Sequence, residues 1–142
     1  MNARTFASAA LGLVLAGAAG LVLGQAVDVG KVEFNASCAT CHGVDGKGEG
    51  PMAAYLMGKL PNLSTLAKRN NGVFPFARVY DTIEGTAAVK GHGSREMPVW
   101  GPRYMEKAAE HYMDYRGPYD AAAFARGRVL ALSEYVYRLQ QK

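Results

Sequence analysis

Apolar residues recur at helical spacing in several stretches of the chain. Val32, Phe34, Cys38 and Cys41 form a stripe of mixed three- and four-residue spacing that predicts a helix over 28–41, with Asp28 placed as its N-cap. Gly30 falls inside this helix, where glycine costs up to about 1 kcal/mol relative to alanine. Either the first turn frays or another helix approaches closely there. Residues 53–60 predict a short helix. Phe76, Val79, Tyr80 and Ile83 predict another over 74–85, with Gly85 as its C′ residue. Tyr104, Ala108 and Tyr112 share one face of a predicted helix over 103–115, which Gly117-Pro118 ends. Asp120 then caps a final helix running to about Gln140, with Phe124, Leu132, Tyr135, Val136 and Leu139 as its buried stripe. No β-type alternation separates these segments, so the fold class is all-α.

The intervening segments read as loops. Pro61-Asn62-Leu63-Ser64 is extended or turning, because proline lacks an amide donor and restricts the residue before it. Residues 86–101 are irregular and glycine-rich. Gly46-Lys47-Gly48-Glu49-Gly50 superficially suggests a phosphate cradle, but no strand precedes it, so its glycines are turn residues. The chain has no internal repeat.

The N-terminus has a different character. Arg4 is followed by an uncharged run over residues 6–24, then by Gly24-Gln25-Ala26 and the first acidic residue, Asp28. This is the layout of a signal peptide cleaved after Ala26. Residues 6–24 are also close to the length needed to span a bilayer, and Gly20 and Gly24 have the small-residue dimer spacing, so an uncleaved membrane anchor is the competing expectation. Both place the globular part, residues 27–142, outside the cytoplasm as one domain.

Charge excludes little and suggests little. The formal net charge is +4 over 142 residues, and +3 without Arg4, with no basic run beyond Lys68-Arg69. Nucleic acid is therefore not expected as a partner. Lys47, Lys59, Lys68, Arg69, Lys90 and Arg95 are candidates for a basic rim that steers an acidic partner.

The most specific chemistry lies in Cys38-Ala39-Thr40-Cys41-His42, which holds both cysteines of the chain. The spacing reads as a covalent haem attachment site: each thiol forms a thioether to one vinyl group, and the adjacent imidazole reaches the iron. Other readings of the pair are weaker. A redox dithiol needs a βαβ setting, which is absent here. A structural zinc site needs four Cys or His ligands, and no second ligand pair is recognisable. A disulfide across two residues would constrain little.

These residues together resemble class I cytochrome c, the small monohaem family, over residues 28–142. Gly30, Phe34 and Cys38 stand four apart, as in that family's first helix, and Leu132-x-x-Tyr135 is similar to its last helix. The resemblance implies a cytochrome c fold in which the N- and C-terminal helices cross, with the glycine at their contact, around one covalently bound haem c. Met97-Pro98-Val99-Trp100-Gly101, 55 residues after His42, is similar to the loop that supplies the family's sixth iron ligand. The implied site is thus Cys38 and Cys41 as thioethers and His42 and Met97 as axial ligands. The Pro61 carbonyl is implied as the acceptor that orients His42. A thioether at the sixth position favours Fe(II) and raises the reduction potential.

Rival assignments remain at this stage. His92 is an alternative sixth ligand, although it also reads as an exposed loop residue. Met52, Met57, Met105 and Met113 read as core filler, and His111 as the exposed side of a helix. Trp100, Tyr80 and Arg78 could line the haem, with core or solvated readings at least as good. Residues 102–117 are longer than the equivalent segment in small family members. The expected function is one-electron transfer between redox proteins by a periplasmic carrier. The alternative is a membrane-anchored cytochrome c subunit of a larger respiratory or dehydrogenase complex, with Tyr104, Tyr112, Tyr115 and Tyr119 against a partner. A haem enzyme or gas sensor would need an open iron site.

Overall fold

The computed structural model describes residues 26–56, 58–87, 97–111 and 120–141. The uncharged 6–24 run lies outside them. So do Met57, Lys90, His92, Arg95, Tyr112, Met113, Tyr115, Gly117-Pro118 and Tyr119, together with the side chain of His111. Among the described residues there are five α-helices and no strand, so the all-α expectation holds. None of these helices is long and apolar enough to cross a membrane.

Helix α1 (Val29–Ser37) starts where the Asp28 carboxylate accepts the Lys31 amide at 3.0 Å. The helix expected over 28–41 is broken at Cys38, which caps α1 with φ −115° and starts a separate single turn, α2 (Ala39–His42). The buried face of α1 is Gly30, Glu33 and Phe34 rather than the expected stripe through Val32, which is 53% exposed. Residues 30, 33 and 34 follow the three-and-four rule, and Val32 falls off that face. The helix expected over 53–60 is only a 3₁₀ turn (Ala53–Tyr55), because Leu56 turns extended with ψ 147° ahead of Pro61. Further 3₁₀ turns span Leu63–Thr65 and Lys68–Asn70.

Helix α3 (Phe76–Glu84) ends at Gly85, whose φ of +100° is the left-handed conformation expected of its C′ position. Helix α4 (Trp100–His111) begins three residues earlier than its apolar spacing indicates. Pro102 is tolerated there because first-turn amides have no intrahelical acceptor. Helix α5 (Ala121–Arg138) is capped by the Asp120 carboxylate, which accepts the Ala123 amide at 3.0 Å.

Helix α5 packs against α1, α3 and α4, and the core lies along it. Phe34, Tyr104, Val129 and Leu132 are almost wholly buried. The α1–α5 crossing is close because Gly30 has no Cβ: one placed there would collide with the Ala131 carbonyl and the Tyr135 Cβ. Phe34 and Tyr135 pack beside the contact, with ring centroids 5.1 Å apart. The interior glycine of α1 is thus a helix-crossing residue rather than a frayed turn.

The end of α5 also fixes the loop that follows Pro61. Gln140 donates to the Leu63 carbonyl and accepts the Ala67 amide, at 2.8 and 2.9 Å, and the Gln141 amide donates to the Ser64 carbonyl at 2.8 Å. Polar groups at the chain end therefore hold Leu63 and Leu66 in place as one wall of an internal space.

Candidate haem site

The attachment turn is rigid for local reasons. Cys41 and His42 both donate backbone N–H bonds to the Cys38 carbonyl, at 3.1 and 2.9 Å, and Gly43 closes the turn on Ala39 at 2.8 Å. The following loop then takes up the remaining carbonyls of α2. Gly48 donates to His42, Gly50 to Cys41 and Met52 to Thr40, at 2.7, 3.0 and 2.9 Å. The glycine-rich segment is thus a brace for the pentapeptide, as its turn reading implied. Cys38 and Cys41, three apart on one turn, are adjacent on the helix surface, and each is partly buried. His42 is buried, at 5% exposure.

Burial first, and then the charge of Glu33, pushes the Cys38 thiol up to about 12. Such a thiol is protonated at neutral pH, which disfavours a redox dithiol. Among the described residues no group of three or more His, Cys, Asp or Glu side chains is placed to hold a metal ion, as the zinc reading would need.

Cys38 and His42 open onto a cavity of about 360 Å³ that Pro61 and Met97 also line. This is within the size range of cofactor sites. Its apolar wall comes from Leu63, Leu66, Val79, Ile83, Leu132 and Val136, and Arg69, Asn70 and Arg78 add polar edges. A smaller space of about 30 Å³ brings Cys41, Pro98 and Trp100 together with Cys38, His42 and Met97. All five residues expected at the site therefore border two spaces that share Cys38, His42 and Met97.

The residues present fit a large, mainly apolar group carrying a few acceptors. Trp100 is 7% exposed, and its Nε1–H has no acceptor among the described residues. A buried donor left without a partner costs about 1–3 kcal/mol, which an acceptor on a bound group offsets. Arg69, at the exposed edge of the cavity, donates to the Asn62 carbonyl at 2.7 Å.

Other residues singled out from the sequence are placed differently. Met52 and Met105 are 44% and 41% exposed, so the core-filler reading fails for both. Met52 follows Pro51 in the brace loop, and Met105 follows the inward-facing Tyr104 on α4, so neither side chain faces the core. Tyr80 is partly buried against the core, and Arg78 lines the larger cavity. Of the basic rim, Lys47 is paired with Asp45 at 2.8 Å, and both groups are exposed. Sequence reasoning missed Glu33 altogether. Its only sequence signal is an acidic residue directly preceding the buried Phe34.

Residues 27–115, more than half of the chain, match the Cytochrome c family. The chain belongs to that family, and the helical fold and the Cys-x-x-Cys-His turn are those of a class I c-type cytochrome. It carries covalently bound haem c, with Cys38 and Cys41 in the attachment motif. Neither the curated proteins nor the solved structures give a match. Family membership makes this a haem-based electron-transfer protein that works with redox partners.

Proposed function

We propose that the chain is an exported one-electron carrier whose haem is held by thioethers from Cys38 and Cys41 and ligated axially by His42 and Met97. The observation that supports this reading is the sharing of both internal spaces by Cys38, His42 and Met97. When bound, the haem supplies reversible Fe(III)/Fe(II) exchange. The chain does the rest. The braced α2 turn holds the His42 backbone at the attachment site, and the Pro61 carbonyl, which borders the same cavity, would accept from the ring nitrogen that does not bind iron and so strengthen His42 as a donor. Met97 contributes a soft thioether that favours Fe(II) and leaves no open position for a substrate. Leu63, Leu66, Val79, Ile83 and Leu132 exclude water, so charge changes in the cavity are weakly screened.

On this reading residues 27–142 form the haem domain in the periplasm, and residues 1–26 are the leader that exports it. Its partners are redox proteins that dock briefly at the haem edge. The oxidised holoprotein is expected to show the long-wavelength Met–iron band, and Met97→Ala is expected to abolish it. An unchanged band, or a midpoint potential as low as two imidazole ligands give, would overturn the Met97 assignment. The intact mass of the isolated protein distinguishes the cleaved carrier from an anchored subunit, because retention of Met1 or Asn2 excludes cleavage after Ala26.

A further inference from the structure

Next to the attachment turn lies a buried charge cluster that haem attachment does not require. Glu33 on α1 is 9% exposed. It accepts from Arg128 Nη1 on α5 at 2.7 Å through Oε1, and from the Tyr104 hydroxyl on α4 at 3.1 Å through Oε2. Tyr104 is itself fully buried and packs on Trp100, with ring centroids 6.0 Å apart. Trp100 in turn borders the space that Cys38 and Cys41 share. The carboxylate therefore stands one aromatic layer behind the haem site, on the helix that Cys38 caps.

Stability alone is a weak reason for such a cluster. Replacing a buried ion pair by well-packed apolar residues is often neutral or favourable, because desolvation offsets most of the Coulomb attraction. Its two charges also differ in position. Glu33 is the more buried partner, with a side chain 12% exposed against 30% for Arg128. The charge of Glu33 also raises the Cys38 thiol, after burial, so its field reaches the attachment sulfur. A negative charge at short range in a poorly screened interior acts on any charge change nearby.

We propose that Glu33 sets the reduction potential of the haem: its buried carboxylate, oriented by Arg128 and Tyr104, stabilises the oxidised state and holds the midpoint potential below the value the cavity would otherwise give. One electron from a reduced partner protein converts Fe(III) to Fe(II) and removes one positive charge from the site. Glu33 neither makes nor breaks a bond in this step. It weakens the driving force for reduction because it loses a favourable interaction with that charge. Arg128 acts in the opposite sense and more weakly, since it is farther out and better solvated. The inference rests on haem-based electron transfer, and it holds whichever residue is the sixth ligand.

The test is potentiometric titration of the holoprotein at neutral pH in wild type, Glu33→Gln, Arg128→Gln and the double variant, with Arg126→Gln as an exposed-charge control. Glu33→Gln is expected to raise the midpoint potential and Arg128→Gln to lower it. The double variant is expected to lie between the two singles, and Arg126→Gln close to wild type. Shifts of the same sign in both singles would mark a merely structural role and overturn the proposal, as would shifts no larger than the control's. Where one single variant yields no holoprotein, the sign of the other single and of the double decides. The absorption spectrum of each sample reports axial ligation separately, so a wrong Met97 assignment is distinguishable from failure of the Glu33 proposal.

Discussion

Gly30 of α1 lies directly against the backbone carbonyl of Ala131 on α5, so closely that there is no room for a β-carbon between them. Backbone cannot yield as a flexible side chain can, so Gly30→Ala must push the helices apart or distort the crossing. Overpacking of this kind costs about 1–3 kcal/mol. Alanine's better helix propensity returns under about 1 kcal/mol. Thermal unfolding of holo Gly30→Ala is therefore expected to fall by roughly 5 °C. A melting temperature equal to or above wild type would show that the crossing is not tight.

Two arginines of α5 bond to acidic groups of α1 at similar distances but in different surroundings. Arg138 reaches Asp28 at 2.6 Å with both side chains nearly half exposed, whereas Arg128 reaches the buried Glu33 at 2.7 Å. Arg138→Ala is expected to cost little and to lose even that at high salt. Arg128→Ala strands a carboxylate in the core and is expected to cost on the order of 3 kcal/mol, largely independent of salt. Denaturant titrations at low and high salt measure both. Equal costs would contradict the burial difference.

The helical architecture was legible because each long helix has a wet face and a dry face: Val79 and Ile83 of α3 and Leu132, Tyr135 and Val136 of α5 are buried as expected, whereas Phe76 is exposed and Phe124 and Leu139 are only partly buried. Gly30, Phe34 and Cys38 marked the crossing because only a glycine admits a helix so close to the attachment turn. The pentapeptide was legible for a chemical reason: two thiols and an imidazole at that spacing suit few other ligands. What escaped depends on distant partners. Glu33 reads as a surface residue until Tyr104 and Arg128, 71 and 95 positions away, fold against it. The segment after Ala53 escaped for the opposite reason. Its local apolar pattern suggests a helix, but its backbone is turned extended towards the Pro61 wall. The expectation for Met97 rests on family resemblance alone, since a methionine before a proline carries no chemistry on its own.

Tyr104 predicts a pH dependence. Burial, followed by the charge of Glu33, raises its hydroxyl pKa above the ordinary value of 10.0. The unfolded chain therefore loses this proton first as pH rises. Stability from the protonated hydroxyl is complete below about pH 10 and is lost progressively above it. Alkaline unfolding of the holoprotein is expected to be steeper in wild type than in Tyr104→Phe, even though the variant is less stable at neutral pH for want of the bond to Glu33. Parallel stability curves for the two proteins between pH 9 and pH 11 would refute the assignment.

Covalent attachment at Cys38 and Cys41 separates the role of the sulfurs from that of the cavity. In Cys38→Ala or Cys41→Ala one thioether remains, so the haem should stay on the chain through denaturing electrophoresis, with the α-band displaced by the restored vinyl group. The cavity wall contributed by Leu63, Leu66 and Val79 is unchanged in these variants, as is the brace that holds His42. The double variant keeps the same wall and the same imidazole and loses both tethers. It is expected to bind haem reversibly, to release it on acid–organic extraction, and to melt well below wild type, because a dissociable ligand stabilises only as the logarithm of its free concentration relative to Kd. Haem that remained on the chain after extraction of the double variant would show attachment elsewhere, and would remove the pentapeptide from its role.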